Sequence, residues 1–174
     1  MTKLRLATVW LDGCSGCHMS LLDLDESILA VAEKADLVYG PLVDAPEFPE
    51  NVDVTLVEGA VSSQEDWKKI QLIRGRTRIL VSLGDCAVTS NVPSMRNSIP
   101  VNRLLRRIYS EGADIGDALP AAGVPALLPQ ARPLHDFVAV DAYLPGCPPP
   151  PQAILALLSD LLSGKKPAVT TKFG

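Results

Sequence analysis

Cys14 and Cys17 stand three residues apart in the run CSGC, just after the apolar stretch KLRLATVWL at 3–11. A thiol pair at this spacing suits three chemistries. It can be a redox dithiol, half of a zinc site, or half of an iron–sulfur site. The remaining cysteines, Cys86 and Cys147, discriminate among them. A thioredoxin-like dithiol needs only the C-x-x-C pair and leaves Cys86 and Cys147 without a task. Zinc accepts four thiolates, but structural zinc sites usually join two short cysteine knuckles. One pair plus two single cysteines also occurs among [4Fe–4S] proteins. Spacing alone therefore ranks a cluster above zinc and leaves zinc open.

The elements that must position these thiols follow from the hydrophobic pattern. Residues 3–11 read as a buried strand, and 18–34 as a helix with Leu21, Leu22, Ile28, Leu29 and Ala32 on its apolar face. Strands are expected at 36–43, weakened by Gly40-Pro41, and at 52–57, 78–83 and 137–144. Helices are expected from about 62 to 74, from 101 to 111 with Gly112 as the stop, and after PGCPPPP in QAILALLSDLLSG. Ser62 or Ser63 can cap the first of these, and Glu65 and Asp66 suit its positive end. Pro150 or Pro151 suits the start of the last helix and Gly164 its end. Prolines at 120, 125, 129 and 133 predict an irregular segment over 113–135, a candidate interface. Short apolar strands alternating with helices predict an α/β fold. The expected form is a flavodoxin-like, open, mainly parallel sheet with helices on both faces. Residues 1–164 are expected to form one domain, followed by a tail at 165–174.

On that scheme every cysteine lies just past the carboxyl end of a strand. In an open parallel sheet those ends share one edge, where ligands bind. A lone cysteine reads as core, because free cysteine is often buried. Four at one edge read as ligands of a metal centre. Gly13, Gly16, Gly84 and Gly146 accompany them and permit close backbone approach. Amide donors to sulfur tune such clusters. Pro145 and Pro148–Pro151 would stiffen the last loop and exclude water.

The totals bound the function. At 174 residues, 47% hydrophobic and 21% charged, the chain can build an ordinary core. A net charge of −4 with no basic patch argues against nucleic acid. No apolar run approaches the roughly 18–20 residues that span a bilayer, and the first residues read as a strand rather than a leader. A cytoplasmic protein with reduced thiols is expected, so four cysteines point to a metal or redox site.

The pieces WLDGCSGCHMS, VEGA at 57–60, GDCAV at 84–88 and PGCPPPP at 145–151 resemble the small, electron-transfer subunit of nickel–iron hydrogenases. They occur in that family's order along nearly the whole chain. The resemblance implies that Cys14, Cys17, Cys86 and Cys147 ligate one proximal [4Fe–4S] cluster, with Glu58 and Gly59 beside it. It also implies that the nickel–iron site lies on a large-subunit partner, so this chain is not catalytic alone. The stretch GDCAVTSNVPSMRN, 84–97, is similar to the NAD-reducing branch. There a diaphorase pair carries FMN and further clusters, and the reaction is H2 + NAD+ to NADH + H+ and its reverse. NADP- and F420-linked branches remain open. The related small subunit of respiratory complex I has adjacent cysteines in its motif, which Ser15 and Gly16 separate here. Longer members carry two more clusters in a second domain, for which this chain has no cysteines. Ser15 and Gly16 also offer no extra thiols for an oxygen-tolerant cluster, and His18 stands where many members have Glu.

The remaining residues have two readings each. Glu58 can hydrogen-bond near the cluster or pair with a partner's arginine, or be an ordinary loop acid. His18 can donate towards the cluster, or simply open a helix. Trp10 and Met19 read as packing residues. Arg96 and Asn97 read as contacts to a partner or an exit cluster, or equally as a solvated loop. The loop DGCSGC replaces the Ser/Thr-rich phosphate loop of a flavodoxin, which argues against FMN on this subunit. No G-x-G-x-x-G follows a strand, which argues against NAD here.

Overall fold

The computed structural model describes residues 3–111 and 123–165. Five strands form one sheet: β1 (Leu4–Trp10), β2 (Ala35–Tyr39), β3 (Val52–Glu58), β5 (Thr77–Leu83) and β7 (Ala142–Leu144). Their spatial order is β2-β1-β3-β5-β7, and every pairing is parallel. Counted along the chain, those five run 2-1-3-4-5, the flavodoxin-like order expected from the sequence. A separate two-stranded antiparallel ribbon joins β4 (Val61–Ser63) to β6 (Leu127–Arg132).

The strands are apolar on both faces because both are covered. Ala7, Val9, Val57 and Leu80 meet Ile70 and Ile73 of α3 (Gln64–Arg76) on one side. Leu6, Val54, Leu56 and Val81 meet Val31 of α2 (Ser27–Lys34) on the other. Ile154 and Leu158 of α6 (Pro151–Leu162) complete that second layer. Burying each such side chain is worth about 1.5–3 kcal/mol. Helix α3 starts as the sequence predicts. Ser63 Oγ accepts the Asp66 amide at 3.0 Å, and Asp66 returns the bond to the Ser63 amide at 2.9 Å.

Several expectations need correction. The helix expected over 18–34 is broken into α1 (Gly16–Leu22) and α2. Asp25 takes a left-handed conformation at φ 48°, and the turn swings Leu24 into the core. Leu22, Leu29 and Ala32 consequently face solvent. The strand expected over 137–144 begins only at Ala142. Before it, a 3-10 turn at Leu134–Asp136 sinks Leu134 under α3. Asp141 then replaces a strand rung, accepting the Leu80 amide at 2.7 Å through Oδ2, which Arg74 also holds at 2.6 Å.

The segment 113–135 is not wholly irregular, since it contains β6. Pro129 is tolerated there because β6 has a backbone partner on one side only. On the other side Asn97 substitutes for a strand, donating to the Ala131 carbonyl and accepting its amide, both at 2.8 Å. Two short elements escaped the sequence pattern, α4 (Asp85–Thr89) and a 3-10 stretch at Val92–Ser98. Helix α5 (Val101–Tyr109) forms as expected, as does the end of α6 near Gly164 at φ 72°. The expected stop at Gly112, the 113–122 part of the expected irregular segment and the tail from 166 lie outside the described residues.

Candidate metal centre

The parallel order sets the carboxyl ends of β1, β3, β5 and β7 side by side. Cys14 and Cys17 follow β1, Glu58 ends β3, Cys86 opens α4 after β5, and Cys147 follows β7. The β1–β3 pairing continues past Trp10 into the ligand loop. Leu11 donates to the Glu58 carbonyl at 2.9 Å, and Ala60 donates to the Asp12 carbonyl at 2.7 Å. Gly59, at φ 90°, makes that approach possible: a Cβ there would lie 2.7 Å from the Leu11 carbonyl carbon.

Gly84 is the second position that only glycine fills. Its backbone sits at φ 79°, ψ 161°, and a Cβ would overlap Cys17 Sγ. Gly16 is milder. Its Cβ would lie 3.2 Å from Cys14 Sγ, and its amide donates to that sulfur at 3.4 Å.

Three sets of bonds tie the cysteine loops together. The His18 amide donates to Glu58 Oε2 at 2.9 Å, anchoring α1 to the end of β3. Ser20 Oγ donates to the Pro149 carbonyl at 2.5 Å, anchoring α1 to the Cys147 loop. The Asp85 amide donates to the Gly146 carbonyl at 2.9 Å, and the Gly146 amide donates to Asp85 Oδ1 at 2.7 Å. Sequence reasoning missed Ser20 and Asp85. Their partners lie 129 and 61 residues away, so no local pattern marks them.

The four thiols share one electrostatic neighbourhood. Burial pushes the Cys17 thiol up, and Glu58, Cys86 and Cys14 push it further. Burial also raises Cys86. The Val92 amide opposes that, and Cys14, Cys147 and Glu58 add to it. All four cysteines are free thiols. As thiolates they would repel one another. Among the described residues, no three His, Cys, Asp or Glu side chains are arranged to hold a metal ion.

Glu58 and His18 are buried beside these thiols, at 2% and 9% exposure. His18 Nδ1 lies 3.2 Å from Glu58 Oε2 but outside hydrogen-bond geometry. Both ring nitrogens and Glu58 Oε1 are without a hydrogen-bond partner among the described residues. Met19 is exposed at 56%, so it is not a packing residue within this chain, whereas Trp10, 44% exposed, ends β1 and donates through Nε1 to the Gly13 carbonyl at 3.1 Å. Arg96 and Asn97 work internally. Arg96 donates to the Ser62 carbonyl at 3.0 Å and the Leu128 carbonyl at 3.1 Å, clamping β4 and β6.

The chain is similar to known proteins along nearly its whole length. Residues 14–161 match the family described as NADH ubiquinone oxidoreductase, 20 kDa subunit. The delta subunit of the NAD-reducing hydrogenase HoxS of Cupriavidus necator is 37% identical over 171 residues. That match covers 94% of this chain and 80% of the relative. A subunit of the F420-non-reducing hydrogenase vhu of Methanocaldococcus jannaschii is 36% identical over 97% of this chain. This chain spans only 59% of that relative's length. A chain in the crystal structure of an NAD+-reducing [NiFe]-hydrogenase in the H2-reduced state superposes with a TM-score of 0.92 at 39% identity. The match covers 98% of this chain and 97% of that one. No described helix is long and apolar enough to cross a membrane.

Proposed function

Because the chain belongs to the NADH ubiquinone oxidoreductase 20 kDa subunit family and its relatives are hydrogenase subunits, we propose that it is the electron-transfer small subunit of a cytoplasmic NAD-reducing nickel–iron hydrogenase. Cys14, Cys17, Cys86 and Cys147 together hold one [4Fe–4S] cluster. A large subunit supplies the nickel–iron site, and a diaphorase module with FMN and further clusters exchanges electrons with NAD. The overall reaction is H2 + NAD+ to NADH + H+, and the reverse. The observation that carries this reading is the meeting of four thiols, from three loops distant in sequence, at one sheet edge.

The residues fit the group. The donor set is all thiol, and Gly84 leaves room at Cys17 Sγ that any side chain would fill. When bound, the cluster supplies one-electron storage and release. The chain does the rest. Its thiols shed their protons as they ligate. Gly16 offers its amide to sulfur, a lever on potential. Glu58 holds the start of α1, and the prolines around Cys147 remove backbone donors that would bind water. Four protein ligands leave no open position for substrate.

The test is iron, acid-labile sulfide and zinc per chain, in protein purified without oxygen. About four iron and four sulfide per chain are expected; one zinc without sulfide would sink the assignment. In the assembled enzyme, Cys147→Ser should abolish H2-driven NAD reduction while the large subunit still contains nickel. Full NAD reduction by that variant with its cluster intact would remove Cys147 from the ligand set. The same assay with F420 or NADP in place of NAD distinguishes the branches of the family.

A further inference from the structure

We propose that Asp85 is a positioning residue of this site, its carboxylate fixing the distance between the loops that carry Cys86 and Cys147. The inference rests on the cluster function proposed above and names a residue which that function alone does not require.

The Cys147 loop is short of backbone donors. Residues 145–151 read PGCPPPP, so only Gly146 and Cys147 carry an amide hydrogen. A loop with two donors in seven residues cannot be held by ordinary backbone pairing. The β5–β7 ladder ends at Leu83 opposite Leu144. The Gly84 amide adds one rung, donating to the Leu144 carbonyl at 2.7 Å. Asp85 then grips both polar groups of Gly146, its amide donating to the carbonyl and its carboxylate accepting from the amide. The two bonds close a ring between the residue before Cys86 and the residue before Cys147.

The chemistry of the side chain supports the assignment. Among the described residues no Lys, Arg or His pairs with Asp85. With no cation beside it, the half-buried carboxylate is a charged acceptor for the Gly146 amide, and such an acceptor binds an amide about twice as strongly as a neutral one. The shortness of the side chain matters equally, since Asp places Oδ1 beside its own main chain.

Two readouts test this, one independent of the metal. Hydrogen exchange of a peptide covering 145–151 reports only two loop amides. Asp85→Ala should exchange the Gly146 amide about tenfold to a hundredfold faster, the worth of a hydrogen bond to a charged group. Asp85→Asn keeps an acceptor oxygen in place and should recover most of the protection. In cluster-loaded chain, loss of iron to a chelator should accelerate in the same order: Ala fastest, Asn between, wild type slowest. If Ala does not fold, Asp85→Glu replaces it, keeping the charge but moving the acceptor by a methylene, and should behave like Ala. Wild-type exchange and wild-type iron retention in Ala, or in Glu where Ala does not fold, would overturn the proposal. Wild-type protein without iron or sulfide would instead overturn the cluster function, and the exchange result would still decide whether Asp85 sets the loop spacing.

Discussion

Gly84→Ala should damage both the fold and the site, and the size of each effect follows from the backbone. At φ 79°, ψ 161° Gly84 occupies a region that is essentially glycine-only. Forcing alanine there costs about 1–3 kcal/mol in strain. The new methyl would also overlap Cys17 Sγ, so one of them must move. Neither moves freely. Gly84 is bonded to Leu144, and Cys17 sits on α1, which Glu58 and Ser20 anchor at 2.9 and 2.5 Å. Overpacking of this kind costs about 1–3 kcal/mol more. The total, about 2–6 kcal/mol, is a large part of the 5–15 kcal/mol typical of a domain. Gly75→Ala is the internal control. Gly75 lies inside α3, its Cβ would meet no heavy atom within 4 Å, and alanine should stabilise the helix by about 0.5–1 kcal/mol. The assay is urea unfolding of both variants and wild type, read as midpoint shifts at constant m, followed by iron content after anaerobic purification. Gly84→Ala should unfold at markedly lower urea and retain little iron. If it matched Gly75→Ala in both, the close contact between the Cys86 and Cys17 loops would be wrong.

Other substitutions test separate joints. Asn97→Ala should cost about 1–3 kcal/mol in urea unfolding, because it strips both partners from Ala131, which is 1% exposed. Ser63→Ala should cost about 1 kcal/mol by the same assay, since it removes the oxygen that caps α3. Glu58→Ala should cost about 1–3 kcal/mol and loosen iron, because it orphans the His18 amide. Glu58→Gln keeps an acceptor for that amide and should lie close to wild type in stability, so equal losses for the two would refute the anchoring role.

The readability of this chain tracks the range of its interactions. Strands β1, β3 and β5 were visible because runs such as VDVTLV are buried on both faces and need no partner to be recognised. The placement of the cysteines at one edge followed from those strands. What stayed hidden depends on distant partners. The break at Asp25 serves the burial of Leu24, not a local propensity. The shortened β7 reflects Asp141 bonding to Leu80 and Arg74, 61 and 67 residues away. Strand β6 was masked by prolines, and Asn97 supplies the pairing that the proline pattern argued against. Arg96 and Asn97 looked like surface contacts because their acceptors are main-chain carbonyls, which leave no mark in sequence.

The site itself divides labour between types of residue. The thiols are the proposed ligands, but no thiol sets its own position. Cys17 is placed by a buried glutamate and a serine on its helix, Cys86 and Cys147 by one aspartate, and Cys14 by the glycine that lets β1 and β3 run on together. Two of these positioning groups are acids, Glu58 and Asp85, and neither pairs with a Lys or Arg among the described residues. Each spends its acceptor on an amide of a residue next to a cysteine. Burial first, with Glu58 and the neighbouring thiols adding to it, raises Cys17 and Cys86, so this edge is unfavourable for thiolates by themselves. It becomes favourable once a group with positive metal ions lies among them. Loop order rests on Glu58, Ser20, Asp85 and Gly59 rather than on the thiols, so substituting a thiol should remove the metal with the loops still in place, whereas losing Glu58 or Asp85 should loosen both.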